Sequence, residues 1–317
     1  MKLSTTNINC NIAVFVQPFL DKLIARTEVE GIALLGGLGK RDFSDEYSDI
    51  DISVLLRKNS SNLFSLPFEF HQENENFIAE FNIHALLYED EIQSNWNHGK
   101  IEAYKNARIV YDKHGLLKDL LDNKVVFDEE EAFNRLIWLI QQYKWRVQIH
   151  SIRTYKRGYP EGAHYLINEG VKMLIECIYL LNKEYMPHTK WIYPKLKELN
   201  NFGLYDDIVN ALYLKDFSWD NLITRIKNLD MIYSKILRVI QKQIPKFPGN
   251  PYQYYYKHNV QIKSETKIDE LCNSSDIFAA LSHKEQERIY NYLCFNLIDD
   301  QSSFNDFINC YVSKKKH

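Results

Sequence analysis

The chain has 317 residues, of which 45% are hydrophobic and 26% are charged, and its formal net charge at pH 7 is −3. This length is enough for two domains, and the composition is that of a soluble globular protein. The slightly negative charge argues against a large basic surface for duplex nucleic acid, while it leaves room for a local basic pocket that binds a triphosphate.

Cysteine usage and hydropathy indicate the cellular compartment. The five cysteines are far apart and form no CxxC pair, which predicts neither a disulfide framework nor a zinc site. The N-terminal residues lack the apolar stretch of a signal peptide, and the most apolar segment, over 171–181, contains Lys172 and Glu176. We therefore expect a cytoplasmic protein in a reducing environment, without a membrane span.

The first part of the chain shows both helix and strand patterns. Apolar residues recur every three or four positions at its start, and short apolar runs bounded by Gly, Asn and Asp follow. The predicted elements, in chain order, are a helix over 11–28, strands over 31–35, 50–56 and 78–88, a helix over 97–106, a strand over 109–111 and a turn over 112–115.

Helical spacing dominates beyond about residue 128. The predicted helices lie around 133–140, 166–178 and 219–244, with a break at 157–162 and a linker-like segment at 248–251. The predicted fold class is therefore α+β. It comprises a small mixed-sheet domain over 1–125 and an all-helical domain over 126–317, with a further sub-boundary near 247–251 left open.

The turn after the first predicted strand carries the residues typical of a phosphate site. Leu35 is followed by Gly36 and Gly37, whose backbone N–H groups can approach a phosphate closely because no Cβ intervenes. Lys40 and Arg41 add positive charge nearby. We expect this turn to bind an anionic group.

Two carboxylates begin the second predicted strand. Eleven residues separate Gly37 from Asp49, and Asp51 follows two positions later, so both carboxylates would point to one face while Ile50 and Ile52 anchor the other. Such a pair suits Mg²⁺, which usually binds one or two carboxylates plus substrate phosphates. The alternative is a solvent-exposed acidic loop, because five acidic residues crowd this stretch: Asp42, Asp45, Glu46, Asp49 and Asp51.

This combination resembles the signature of the DNA polymerase beta-like nucleotidyltransferase superfamily, in which a strand ending in Gly-Gly or Gly-Ser precedes Asp-x-Asp by roughly ten residues. It resembles most the antibiotic adenylyltransferases of the aminoglycoside and lincosamide type, which have a C-terminal helical domain. The chain departs from many relatives in carrying Gly37 where they have Ser. The resemblance implies an NTP substrate, with ATP expected, and two Mg²⁺ ions. The residues expected to bind the nucleotide in this part of the chain are Gly36, Gly37, Lys40, Arg41 and Ser48.

The superfamily has a third acidic residue on a neighbouring strand, and Glu80 is the candidate here. Alternation along the strand would place Glu80, Asn82 and His84 on one face, with Phe81, Ile83 and Ala85 on the core face. The resemblance implies that Glu80 binds metal and activates the acceptor hydroxyl, with Glu89 and Asp90 as fallbacks. The alternatives are that Glu80 is a solvent-exposed residue of an edge strand and that His84 is a polar neighbour.

The helical part supplies one further candidate, Lys190. The segment over 181–191 resembles a stretch of related helical domains in which a lysine reaches the triphosphate, and a surface lysine packed over Trp191 is the alternative. Asp112 and Gly115 are interpreted as structural. The tyrosines of 252–256 are interpreted as packing or interface residues, with an acceptor pocket as the alternative.

These patterns predict a transferase that acts on an NTP and a hydroxyl-bearing small molecule such as an antibiotic. The alternatives are a toxin-type nucleotidyltransferase that modifies tRNA or protein, and a nucleotide-binding regulator with a decayed active site. The negative net charge disfavours a nucleic-acid partner, and the carboxylates and glycines argue against decay. No membrane partner is expected.

Overall fold

The computed structural model describes residues 10–39, 49–57, 69–74, 77–258 and 260, together with 275–282, 285–286, 289, 304–305 and 308. The chain divides into two compact units, 1–260 and 261–317. The first unit contains the sheet and the long helices, and the second contains a short helix, α13 (Asp276–Ala279). The boundary between residues 125 and 126 and the sub-boundary near 247–251 stay predictions.

The sheet has five strands in the described residues and both parallel and antiparallel pairs. Its strands are β1 (Val29–Leu34), β2 (Ile50–Leu56), β3 (Glu69–Asn74), β4 (Phe77–Leu87) and β5 (Arg108–Asp112), in the order β3-β4-β2-β1-β5. The β2–β4 pair is parallel, and the other pairs are antiparallel. This mixed sheet with the helices that follow confirms the predicted α+β class.

Helices make up most of the other described residues of the first unit. They are α1 (Cys10–Ile24), α2 (Gly36–Gly39), α3 (Tyr88–Gln93), α4 (His98–Tyr104), α5 (Leu116–Lys124), α6 (Glu129–Tyr143), α7 (Ser151–Lys156), α8 (Pro160–Leu181), α9 (Ile192–Glu198), α10 (Tyr205–Ala211), α11 (Trp219–Gln243) and α12 (Pro251–His258). A π-helix spans Lys144–His150, and a 3₁₀ turn spans Thr189–Trp191. None of the helices in the described residues is both long and apolar enough to cross a bilayer.

Each face of the sheet is covered by a different hydrophobic core. On one face, Ile50, Ile52 and Val54 of β2 pack in the core that includes α1, as their alternation predicted. On the other face, Leu55 and Leu86 join the core formed by the long helices. Because side chains alternate along β2, Asp51 and Ser53 lie on the same face as Leu55, which is the face that packs against the long helices.

The alternation predicted for β4 is correct over its middle and wrong near its end. Phe81 and Ile83 are buried, as predicted, whereas Ala85 is exposed. The buried residue at that point is Leu86, on the opposite face, because the helices cover the sheet there. The same alternation, continued toward the start of the strand, predicts that Phe77 and Ala79 face the core, and their side chains lie outside the described residues.

Candidate active site

The turn between β1 and β2 is built against Asp51. Leu35 donates its backbone N–H to the carbonyl of Asp51 at 2.9 Å, which holds the end of β1 beside the start of β2. Gly36 has φ +54°, a left-handed conformation that side chains disfavour. A Cβ on Gly36 would lie 2.6 Å from Oδ2 of Asp51, so the carboxylate occupies the space that a side chain would need.

Gly36→Ala is therefore expected to lower both stability and activity. The left-handed backbone costs an alanine about 1–2 kcal/mol of folding free energy, and the new methyl group must displace the Asp51 carboxylate. The matched control is Gly115→Ala, because Gly115 has φ +75° with no atom within 4 Å of its Cβ position. Thermal unfolding should show a loss of stability in both variants, with the larger loss in Gly36→Ala, whereas activity should fall only for Gly36→Ala. Equal activities in the two variants would contradict the contact with Asp51.

Asp51 is held as an ionised carboxylate. Asn82 donates from Nδ2 to Oδ1 of Asp51 at 3.3 Å, and Nε2 of His84 lies 3.7 Å from the same oxygen. Burial by itself would raise the pKa of Asp51, but the contacts with His84 and Asn82 and the positive charge of Lys190 outweigh it and lower that pKa. The carboxylate is therefore negative at neutral pH and suited to bind a cation.

Asp49 and Lys190 meet at the same place. Asp49 directly precedes β2 and has a side chain that is 35% exposed. Lys190 lies in the 3₁₀ turn that follows α8, and its Nζ is 3.8 Å from Oδ1 of Asp49 and 6.0 Å from the centre of the Trp191 ring. Lys190 lies 141 positions after Asp49 in the sequence, and the structure places it beside this first carboxylate. Its role in nucleotide binding stays a prediction.

Glu80 lies on β4 but does not face Asp51 in the register. Asp51 is opposite Asn82, and Glu80 precedes Asn82 by two positions, is exposed and pairs with His71 of β3. In the described residues, no group of three or more His, Cys, Asp or Glu side chains is arranged to hold a metal ion. The third carboxylate is thus still a prediction, as are the fallbacks Glu89 and Asp90, which lie in the first turn of α3.

The donor set fits a cation held by two protein carboxylates and by substrate. Asp49 and Asp51 lie beside a glycine turn and would supply carboxylate oxygens, and Mg²⁺ commonly binds one or two carboxylates when phosphates complete its coordination. Gly37 lies half-buried in α2, next to Gly36. Lys40, Arg41 and Ser48, which were predicted to contact the nucleotide, lie outside the described residues.

Two further predictions concerned residues away from this site. Asp112 accepts hydrogen bonds from the backbone N–H groups of Leu117 and Lys118, and Gly115 adopts a left-handed conformation before α5, so both have the predicted structural roles. Tyr254 stacks on His258 with ring centres 4.1 Å apart and packs against the hydrophobic core with Tyr255. These contacts favour packing over an acceptor pocket. The side chains of Tyr252 and Tyr256 lie outside the described residues.

Sequence reasoning missed a buried hydrogen bond on β2, two positions after Asp51. Ser53 Oγ and Tyr104 Oη are 2.9 Å apart, and both side chains are buried. Burial raises the pKa of Tyr104 to about 12, with the Glu91 carboxylate adding to the rise, so the phenol is neutral and its hydrogen bond persists. The two residues are 51 positions apart, and neither belongs to a local motif that would have identified the pair.

Comparisons with known proteins give similarities to a protein family and to solved structures. A family model for a domain of unknown function, DUF4037, matches residues 95–192, a segment that contains α4 and Lys190. The chain is also similar to a nucleotidyltransferase-like protein from Exiguobacterium sibiricum 255-15, with a TM-score of 0.43 and 14% sequence identity over 72% of this chain and 77% of that chain. No curated protein matches the sequence.

Proposed function

We propose that the chain is a metal-dependent nucleotidyltransferase that moves a nucleoside monophosphate from an NTP, with ATP the first choice, to a hydroxyl of a small-molecule acceptor. The observation that carries this proposal is the meeting of Gly36, Asp49, Asp51 and Lys190 at the end of β1 and the start of β2. A close-approach glycine, two carboxylates and a lysine are what a metal-bound triphosphate needs from a protein.

Each residue has a distinct task in this mechanism. Asp49 and Asp51 would hold Mg²⁺, which would supply the positive charge that draws the phosphates to the two carboxylates. Backbone N–H groups of Gly36 and Gly37 would donate to phosphate oxygens. Lys190, whose side chain is 57% exposed, would exchange its contact with Asp49 for one with a phosphate oxygen.

The transfer itself is an in-line displacement at the α-phosphorus. The acceptor hydroxyl gives its proton to a base, for which Glu80 is the candidate, and its oxygen bonds to the α-phosphorus. The bond from that phosphorus to the bridging oxygen breaks, and pyrophosphate leaves with the electron pair. An antibiotic hydroxyl is the acceptor class that the sequence resemblance favours.

The experiment that tests this function offers candidate acceptors to the protein with each NTP and Mg²⁺, followed by mass spectrometry. An acceptor that gains the mass of one nucleoside monophosphate, with equal pyrophosphate release, is the expected product. Parallel arms with tRNA and with protein acceptors test the toxin-type alternative. Loss of terminal phosphate alone, in every arm, would contradict the proposal.

Lys190→Ala is expected to weaken NTP binding by roughly tenfold, since a charged hydrogen bond to phosphate is lost. Lys190→Arg should partly restore the affinity because it keeps the charge. Calorimetric titration of NTP measures both, and Lys183→Ala is the control because Lys183 is a highly exposed lysine on the same connecting segment. Unchanged NTP affinity in Lys190→Ala would show that Lys190 is an ordinary surface lysine that does not contact the nucleotide.

A further inference from the structure

Helix α4 contacts the strand that carries Asp51. Tyr104 forms the buried hydrogen bond with Ser53, which lies two positions after Asp51 on the same face of β2. The chain just after α4 also lies against the glycine turn, since a Cβ on Gly39 would be 2.5 Å from the carbonyl oxygen of Asn106. The end of α4 is therefore fixed relative to both β2 and the turn.

The same helix contacts the segment that carries Lys190. Glu102 accepts from Nζ of Lys195 at 2.7 Å, and that ammonium lies 2.7 Å from Glu184, which is also 3.1 Å from Nζ of Lys105. Glu102 is 6% exposed and Lys195 is 16% exposed. Burial by itself would lower the pKa of Lys195, but both carboxylates outweigh it and raise that pKa, so the ammonium stays charged.

These contacts lie on both sides of Lys190 in the sequence. Glu184 precedes it by six positions, and Lys195 follows it by five. Tyr185 stacks on His98 of α4 with ring centres 4.1 Å apart. The segment is therefore attached to α4 before and after an exposed lysine.

We propose that α4 is a positioning element that sets Lys190 at the correct distance from Asp49 and Asp51. This α4 bridge consists of Ser53, Glu102, Tyr104, Lys105, Glu184 and Lys195. The inference rests on the proposed function for the task of Lys190, whereas the attachment of the segment to α4 does not. The Glu102–Lys195 pair is largely buried, so separating the two residues would leave a charge without its partner, and this cost favours a single arrangement of the segment.

The test begins with a measurement that needs no nucleotide. Hydrogen exchange of the amides over 186–191 is compared between the wild-type protein and Glu102→Gln, which removes one carboxylate from Lys195. Exchange is expected to be roughly tenfold faster in the variant, because the segment opens locally more often. Glu129→Gln is the matched control, since it breaks an exposed ion pair with Lys183 on the same connecting segment and should leave the exchange unchanged.

The second measurement is single-turnover transfer in a double-mutant cycle. Glu102→Gln is expected to slow transfer at subsaturating NTP by up to about tenfold, because misplacing Lys190 cannot cost more than removing its contact with the phosphate. In the Lys190→Ala background, the same substitution should have little further effect, because both act through one lysine. Lys105→Met, at a more exposed position of the bridge, gives the same comparison if Glu102→Gln does not fold.

The outcomes separate this inference from the proposed function. Unchanged exchange in both Glu102→Gln and Lys105→Met, or fully additive losses in the cycle, would overturn the positioning role. Faster exchange in Glu102→Gln, together with no nucleotide transfer by the wild-type protein, would support the attachment to α4 and contradict the proposed function.

Discussion

Asp51→Asn is expected to reduce nucleotidyl transfer to the uncatalysed level while leaving the fold intact, and Asp49→Asn should do the same. A neutral amide is a poor ligand for Mg²⁺, which binds carboxylate and phosphate oxygens. The fold should survive because Asn has the same shape and its oxygen can still accept the hydrogen bond from Asn82. The lowered pKa of Asp51 shows that its surroundings favour the charged form, so its neutral replacement removes an interaction that the site is built to make.

Steady-state kinetics and circular dichroism on both variants measure these expectations. Asp122→Asn is a suitable control, because Asp122 is an exposed carboxylate paired with Lys118 on α5. The control should transfer at the wild-type rate. Near wild-type transfer by Asp49→Asn or Asp51→Asn would contradict the proposal that these carboxylates bind a metal ion.

Glu80→Gln is expected to lower the transfer rate by roughly two to four orders of magnitude, the usual contribution of a positioned base. NTP affinity should stay close to the wild-type value, because Asp49 and Asp51 still bind the ion that holds the triphosphate. Single-turnover transfer and calorimetry separate these two quantities. Glu80 is the residue to test first because it lies on β4 two positions before Asn82, on the strand face next to Asp51.

The comparison variant for this prediction is Glu89→Gln, whose glutamate lies in the first turn of α3 beyond the end of β4. It should keep the wild-type transfer rate if Glu80 is the base. If Glu80→Gln transfers at the wild-type rate while Glu89→Gln is inactive, the third carboxylate is Glu89, nine positions later. If both variants transfer at the wild-type rate, the acceptor is activated by some group other than these two carboxylates.

The candidate site was predictable where it depends on local sequence. The apolar alternation of β2 fixes which face Asp51 occupies, and the glycine after β1 is required by a left-handed backbone and by the nearby carboxylate. Lys190 was proposed from its resemblance to a segment of related helical domains, and the structure places its Nζ near Asp49. These features follow from residues that are adjacent in sequence or belong to a recognisable segment.

The rest depends on contacts between distant residues. The strand order and the parallel β2–β4 pair bring Asn82 beside Asp51, and strand patterns alone do not specify which strands pair. The β3 sequence is mostly polar, so it gives no apolar alternation from which to predict a strand. The ion pair of Glu102 with Lys195 joins residues 93 positions apart, each of which resembles an ordinary surface residue in the sequence.

The central claim, that a nucleoside monophosphate is transferred, is tested most directly with two labelled forms of the same NTP. One form carries the label on the α-phosphate and the other on the γ-phosphate. Each form is incubated with the protein, Mg²⁺ and an acceptor that is modified in the mass-spectrometry experiment. The mechanism predicts that the product carries label only from the α-labelled NTP, while the γ-label leaves in pyrophosphate. Label in the product from the γ-labelled NTP would show phosphoryl transfer instead and would contradict the proposed function.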